Sequence, residues 1–134
     1  MITTKIQLRF NDMDPMRRVN NASYSAYLEL ARLDFCNQYL KINQLEDIPF
    51  VLARVEMDLI RSVLPGDEIA VKIWVSRIGN TSWDFDYEVF QEKTNHIYVK
   101  AKTIQVYFDY HLGKKLTIPE SFRRILEKEK DNIC

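Results

Sequence analysis

A short polar loop holds the residues of this sequence that are best suited to chemistry. Within residues 10–24, two carboxylates, Asp12 and Asp14, stand beside two guanidiniums, Arg17 and Arg18. A carboxylate in such a loop can act as a general base or as a nucleophile. Asp14 can also cap a single helical turn, and Asp12 suits an Asx turn. Local chemistry alone favours these structural roles, because caps are commoner than catalysts.

The loop leads into a segment with helical spacing. Apolar residues recur every three or four positions over residues 22–40, which predicts a long and largely buried helix. Asn20 or Asn21 can cap its first turn, because a short amide oxygen accepts a hydrogen bond from a free N–H there. The few polar side chains, Glu29 and Arg32 among them, are expected on a limited polar surface. Free N–H groups at such a helix start can hold a developing oxyanion.

Most of the remaining sequence alternates as strands do. Residues 4–10 alternate between polar and apolar side chains, and four further alternating segments follow Pro49 before a short terminal helix. Consecutive strands with short turns favour an antiparallel meander. The sequence therefore predicts an α+β fold in a single domain over residues 1–134, with a long central helix wrapped by a curved five-stranded antiparallel sheet. One polar row is expected to face solvent: Asp84, Asp86 and Glu88.

Composition and charge exclude several classes of protein. The 19 Lys and Arg side chains balance 19 Asp and Glu, which argues against a dedicated nucleic-acid binder. The longest apolar run, residues 50–53, is far too short for a membrane span, and no signal peptide is visible. Cys36 and Cys134 lie far apart and form no disulfide framework, so a cytoplasmic location is expected. His96 and His111 are isolated, so no metal site is expected.

Several segments together resemble the signature of a known family. The first is Asp12-x-Asp14-x-x-x-x-Val19-Asn20-Asn21-x-x-Tyr24, followed by Leu28-Glu29-x-Ala31-Arg32. Later segments are Arg61-x-x-x-Pro65-Gly66-Asp67, Ile78-Gly79-x-x-Ser82 and Val106-x-x-Asp109. The pattern is similar to that of hotdog-fold acyl-CoA thioesterases of the 4-hydroxybenzoyl-CoA thioesterase type, and it covers nearly the whole chain. In the hotdog fold a long helix is wrapped by an antiparallel sheet, which agrees with the order of elements above.

The resemblance implies hydrolysis of an acyl-CoA thioester to the free acid and CoA. It implies that Asp14 acts as base or nucleophile, and that Asn21 is a second catalytic residue that orients water or the carbonyl. The backbone N–H groups of Asn21 and Ala22 would form the oxyanion hole. Coenzyme A belongs to the substrate, so no separate cofactor is expected. The further substrate contacts implied are Arg18, Asn20, Arg77, Ser82 and Lys100.

The chain departs from the family at four positions of the polar loop. Many members have a glycine and a histidine where this sequence has Arg17 and Arg18, and others have a tyrosine and a histidine where it has Phe10 and Asn21. The two arginines can pair with Asp12 or Asp14 and lower the pKa of that carboxyl, contact an anionic group of the substrate, or stay solvated. The departures keep three alternatives open: a hotdog hydratase or dehydratase, a module that binds an acyl-CoA or acyl carrier without cleaving it, and a structural dimerisation domain. The edges of an open sheet invite pairing, and with the resemblance this predicts a homodimer, or a homotetramer built from it.

Overall fold

The computed structural model describes residues 1–131, so Cys134 lies outside the described residues. Short 3-10 turns, Phe10–Asp12 and Leu45–Asp47, lie on either side of the long helix. In chain order the strands and helices are β1 (Ile2–Ile6), α1 (Asn21–Tyr39), β2 (Phe50–Leu59), β3 (Ile69–Ile78), β4 (Ser82–Gln91), β5 (Ile97–Asp109), β6 (Lys114–Lys115) and α2 (Glu120–Asp131).

The strands form one antiparallel sheet. The five long strands lie in the order β1-β3-β4-β5-β2, and the two-residue β6 adds to β5. Although α1 separates β1 from the other strands in sequence, β1 pairs with β3. The predicted α+β arrangement is therefore confirmed, and β6 is an addition within what the sequence predicted as a turn. β1 and β2 are the two ends of the five-strand order, so each has one side without a neighbouring strand in this sheet.

Helix α1 begins where the sequence predicted. Of the two expected caps, Asn20 is the observed one, because its side-chain oxygen accepts a hydrogen bond from the Ala22 amide at 3.0 Å. Cys36, near the other end, is buried, and that burial raises the pKa of its thiol to about 11. Cys36 is therefore a neutral core residue near pH 7. The predicted apolar positions that are buried on α1 are Tyr24, Tyr27, Leu28, Ala31 and Phe35.

Helix α2 packs against β3 and covers one end of the core, where it also meets Trp83 of β4. Phe122 and Leu126 are buried, and the rings of Phe122 and Trp83 lie 5.0 Å apart between centroids. Glu129 is also buried, where it accepts hydrogen bonds from the Tyr39 hydroxyl and from the chain's amino terminus. Within residues 1–131, neither helix is both long and apolar enough to cross a membrane.

Two charged residues lie deeper than predicted. Asp84 was expected to face solvent but is buried, because Arg77 and Lys102 pair with it at 2.8 and 3.6 Å. Arg32 was expected on the polar surface of α1 but is also buried. Neighbouring strands and core groups provide hydrogen-bond and ion-pair partners for these charges, and sequence spacing does not reveal such partners.

Strand β2 leaves apolar side chains open to solvent. Leu52, Val55 and Leu59 are 42%, 46% and 49% exposed. They pair across the sheet with Gln105, Thr103 and Val99, which are inward-facing and buried. Because paired residues of antiparallel strands point to the same face, these β2 side chains lie on the helix side of the sheet. In a single chain, the helix side of β2 therefore remains exposed to solvent.

Candidate active site

Asp12 anchors the polar loop to α1. Its carboxylate is only 2% exposed and accepts hydrogen bonds from the Arg9 amide and the Tyr27 hydroxyl, each at 2.9 Å. The Arg9 guanidinium adds an ion pair at 3.2 Å. Burial by itself would raise the pKa of the Asp12 carboxyl, but these bonds outweigh burial and hold that pKa below its usual value. Both oxygens of Asp12 are therefore occupied by protein.

Asp14 is half-buried, with one oxygen fixed and the other free. Its Oδ1 accepts hydrogen bonds from the amides of Met16 at 2.9 Å and Arg18 at 3.2 Å. In the described part of the chain, no protein group donates to its Oδ2. The backbone closes the same turn, because the Asp14 amide donates to the Arg18 carbonyl at 2.8 Å. This carboxylate is therefore held in one orientation and still has an oxygen available to a ligand.

Arg17 gives the turn a conformation that L-residues rarely adopt. Its φ is 59°, in the left-handed region, and its amide donates to the Asp14 carbonyl at 3.0 Å. This is the position where the family often has glycine, which adopts that region without steric cost. The chain thus keeps the backbone turn while it carries an arginine there.

A cavity of about 640 Å³ opens beside Asp14. Arg9 and Arg17 also line it, so two guanidiniums and one carboxylate share an otherwise apolar lining. Phe10, which forms part of that lining, is 93% exposed. The remaining lining residues are Leu8, Met13, Pro65 and Gly66. Such a mixture suits a ligand with an apolar part and an anionic part.

The start of α1 offers one backbone N–H to a ligand. The Ala22 amide, predicted as an oxyanion donor, already donates to the Asn20 side chain. The Asn21 amide has no protein acceptor among residues 1–131. Asn21 lines a small cavity of about 100 Å³, together with Leu59 and Arg61. The Asn21 amide is therefore the available donor at this helix terminus.

The Asp14 and Asn21 cavities are separate within one chain. The backbone between Asp14 and Asn21 is held by two hydrogen bonds. The Asn20 amide donates to the Asp12 carbonyl at 2.7 Å, and the Val19 amide donates to the Val63 carbonyl at 3.0 Å. The two predicted catalytic residues thus lie on one braced segment but face different openings. A single site that uses both needs a surface that covers the two openings together.

Arg61 is a candidate that the chemistry of the sequence did not single out. It lines the Asn21 cavity, and its guanidinium lies 2.8 Å from His96 Nδ1. The resemblance did contain Arg61, as the first residue of a later segment. Because β2 and β5 are neighbours, residues distant in sequence meet beside Asn21. His96 therefore contacts a residue that lines the Asn21 cavity, although it does not line that cavity itself.

The other predicted substrate contacts lie elsewhere. Arg77 donates to Asp84 at 3.0 Å and to Ser82 at 3.0 Å, at the end of β3 that is remote from Gly66. At about 3.3 Å per strand residue, β3 spans roughly 25 Å between Ile69, near Gly66 of the Asp14 cavity, and Arg77. Lys100 lies beside Lys102 in a polar depression that these residues share with Asp58, Asp86 and Glu56.

The two arginines of the loop are exposed and free of ion pairs within the described chain. Neither Arg17 nor Arg18 pairs with Asp12 or Asp14 through its side chain; Arg9 does so instead. Their guanidiniums therefore remain available to a ligand or to water.

Comparison with known proteins identifies the family. The model of the thioesterase-like superfamily matches residues 8–126, so the chain belongs to that superfamily. A Thermus thermophilus thioesterase, whose crystal structure contains coenzyme A and zinc, is 29% identical, with a TM-score of 0.86 over 98% of this chain and 96% of that one. A predicted thioesterase from Bacillus stearothermophilus is 24% identical, with a TM-score of 0.87 over 95% and 94% of the two chains.

A curated relative matches part of the chain. The uncharacterized protein YsmA of Bacillus subtilis is 24% identical over 83 residues, which are 62% of this chain and 56% of that protein. This chain thus matches little more than half the length of that relative.

The comparisons confirm two predictions. The superfamily match confirms the family that the sequence resembles. The structural neighbours confirm the hotdog fold. Within the described residues no three His, Cys, Asp or Glu side chains cluster as metal ligands would.

Proposed function

We propose that this chain hydrolyses acyl-CoA thioesters and that Asp14 is its catalytic carboxylate. The observation that carries the proposal is the arrangement of Asp14, whose Oδ1 is fixed by two amides while its Oδ2 stays open beside a cavity. Asp12 is a poorer candidate, because both its oxygens are bonded to protein. Membership of the thioesterase-like superfamily supports the reaction type.

The chemistry requires a nucleophile and an oxyanion donor. As base, Asp14 removes a proton from a water that attacks the thioester carbonyl; as nucleophile, it attacks the carbonyl itself, and water then hydrolyses the resulting anhydride. In either route the carbonyl oxygen becomes negative, and the Asn21 amide supplies a hydrogen bond to it. The C–S bond then breaks, and the CoA thiolate takes up a proton. The Asn21 side chain orients the water or the carbonyl.

Basic groups near the site support an anionic substrate. Arg9 and Arg17 line the Asp14 cavity, and Arg18 is exposed next to it. Guanidiniums bind phosphates in a bidentate manner. We therefore propose that Arg17 or Arg18 contacts CoA phosphates and that Asn20 keeps the adjoining helix terminus in place. Contacts from Arg77 and Ser82 require a second chain, because one chain keeps them far from Asp14. A contact from Lys100 remains a prediction from the sequence.

We further propose that the working unit is a homodimer that forms along β2. Its exposed apolar residues, Leu52, Val55 and Leu59, lie at an end of the sheet order. Leu59 also lines the Asn21 cavity. A second copy that covers this edge would close the Asn21 cavity. A homotetramer and a cytoplasmic location remain predictions from the sequence.

The test is a panel of acyl-CoA thioesters with free thiol as the readout. We expect the wild-type chain to release thiol, and Asp14→Asn to lower kcat by about 100- to 10,000-fold with an unchanged melting temperature. Asp12→Asn is the matched comparison, since it should lower the melting temperature and reduce the turnover of the folded protein less.

Other outcomes distinguish the alternatives. Wild-type turnover in folded Asp14→Asn would contradict the catalytic role of this carboxylate. Acyl-CoA binding without thiol release would support the non-catalytic module. Hydration of an enoyl-CoA without thiol release would support the hydratase, and neither binding nor turnover would leave a structural dimerisation domain.

A further inference from the structure

Arg32 is a buried cation without a counter-ion. The residue lies on α1 and is only 8% exposed. Among the ion pairs of the described residues, none includes Arg32. Its one side-chain hydrogen bond in that set is a donation from Nη1 to the Tyr87 hydroxyl at 3.2 Å. Because a guanidinium has five N–H donors, most of its capacity is unused within the protein. No buried side-chain nitrogen among the described residues lacks a hydrogen-bond partner, so the remaining Arg32 donors reach solvent.

A buried hydrogen-bond network fixes the position of this guanidinium. The Tyr87 hydroxyl bonds Thr103 Oγ1 at 2.6 Å, and the Thr103 hydroxyl bonds the Gln105 amide. With its amide oriented by its neighbours, Gln105 accepts a hydrogen bond from Trp83 Nε1 at 3.2 Å. Thr103 and Gln105 are fully buried. The network therefore holds Arg32 from the core side and leaves its other donors toward the surface.

The surface in front of Arg32 is an apolar groove. A cavity of about 400 Å³ lies between α1 and the first half of β2, and Arg32 lines it. Glu29 lines the same cavity, but it is exposed and forms no ion pair in the described chain, so water screens its carboxylate. The apolar and aromatic lining consists of Leu33, Ile48, Phe50, Val51, Leu52 and Tyr110.

The same helix and strand flank the proposed catalytic end. Asn21 meets Leu59 in the small cavity at one end, and Arg32 meets Leu52 at the other. Val55 lies between the two ends and faces the same side of the sheet. We call this strip the α1–β2 groove. Three turns of helix separate Asn21 from Arg32, which is roughly 16 Å along the axis, and the arginine side chain leans back toward the helix start.

We propose that Arg32 binds a carboxylate at the far end of the acyl group, so that the preferred substrates are acyl-CoA thioesters of dicarboxylic acids. The inference rests on the proposed thioesterase function, since it places the thioester at the start of α1. The apolar groove takes the methylene chain, and the unpaired guanidinium at its buried end takes the terminal carboxylate. A carboxylate offers the planar, two-oxygen geometry that a guanidinium fork matches.

The test compares thioesters that differ in the terminal group alone. Adipoyl-, suberoyl-, sebacoyl- and dodecanedioyl-CoA are each paired with the monocarboxylic thioester of equal length, and kcat/KM is measured by thiol release. We expect the wild-type chain to prefer the dicarboxylic member at the length that spans the groove. Arg32→Met should lower that preference by about 10- to 100-fold while it keeps turnover of the monocarboxylic partner. Arg124→Met, at an exposed arginine of α2, is the matched control and should keep the preference.

The outcomes separate this inference from the proposed function. Hydrolysis with no dicarboxylic preference, or a preference that Arg32→Met retains, would overturn the role of Arg32 and leave the thioesterase proposal standing. Loss of dimer mass in both Arg32→Met and Glu29→Gln, with no change in preference, would instead assign Arg32 to a contact between copies.

A binding measurement covers the remaining cases. If no thioester is hydrolysed, the proposed function fails and these thioesters are not substrates. The carboxylate contact of Arg32 then stands if suberoyl-CoA raises the melting temperature of the wild type more than octanoyl-CoA does, and fails if it does not. If Arg32→Met does not fold, Arg32→Lys keeps a charge without the planar fork and should weaken the preference. The wild-type length series alone is decisive if neither variant folds, because absence of a preference contradicts the inference.

Discussion

At the scale of single residues, the turn after Asp14 depends on an unfavourable backbone conformation. Arg17 has a φ of 59°, whereas Arg18 is not among the residues with positive φ. A left-handed conformation costs an ordinary L-residue about 1–2 kcal/mol. The hydrogen bonds of the turn, including the one from the Arg18 amide to Asp14, offset that cost. This strain lies beside the carboxylate that is proposed to be catalytic, as strained residues often do.

A pair of glycine substitutions tests this strain. Arg17→Gly should raise the free energy of unfolding by up to about 1 kcal/mol, which corresponds to about 3 °C in melting temperature for a chain of this size. Arg18→Gly should lower it, because there glycine only adds freedom to the unfolded chain. Differential scanning fluorimetry of both variants gives the comparison. An equal destabilisation of the two would show that the conformation at Arg17 is not strained.

The buried Asp12 carboxylate should make stability depend on acid pH. Its pKa is lowered on folding, so its stabilising contribution is present above the unfolded value of about 3.9 and is lost as the pH falls through the lower folded value. Asp12→Asn should therefore cost about 1–3 kcal/mol at pH 7, and the difference from wild type should shrink at pH 3. Urea denaturation at both pH values measures it. Asp58→Asn, at an exposed carboxylate, should change little; a pH-independent cost at Asp12 would contradict this account.

The polar loop could be predicted from the sequence, but the separate roles of its two carboxylates, Asp12 and Asp14, could not. Carboxylates and guanidiniums beside a buried helix are conspicuous in sequence, so Asp12 and Asp14 could both be selected. Which carboxylate keeps a free oxygen depends on burial and on the direction of backbone amides. Arg32 shows the same limit, because its partner Tyr87 is distant in sequence and the two meet only when α1 lies on the sheet.

At the scale of elements, the start of α1 is the component that the site uses most. Asn20 caps the helix, its own amide reaches back to Asp12, and the next amide, at Asn21, is free for a ligand. The cap and the oxyanion donor are therefore consecutive residues of one turn. The sequence predicted this element well because helical spacing and an asparagine cap are local signals. It placed Asp84 in solvent because cross-strand pairing with Lys102 is not local.

Removal of the cap should affect both stability and turnover. Asn20→Ala should lower the free energy of unfolding by about 1 kcal/mol. It should also lower kcat, because the first turn frays and the Asn21 amide loses its fixed direction. Asn20→Asp keeps an acceptor at the cap and is the matched control. Thermal unfolding and thiol release measured on the same samples provide the test; full activity in a destabilised Asn20→Ala would separate the cap from catalysis.

At the scale of the whole molecule, one surface remains incomplete. The helix side of β2 exposes Leu52, Val55 and Leu59, and the cavities beside Asn21 and Arg32 both open along this strand. An uncovered strand at the edge of a sheet pairs readily with a second copy. Pairing about a two-fold axis uses the same residues from both copies. The β2 edge is therefore the surface on which assembly and the site depend together.

A charge placed in this edge should break the assembly and the activity together. Val55→Lys adds one cation to each copy of a two-fold interface, so the two lysines repel each other and lose water when the edge is covered. Sedimentation velocity at micromolar concentration should show a dimer for wild type and a monomer for Val55→Lys, with thiol release reduced in proportion. Leu112→Lys alters a residue that is 62% exposed in the turn before β6, and it should remain an active dimer. A fully active wild-type monomer, or a Val55→Lys dimer, would contradict assembly along β2.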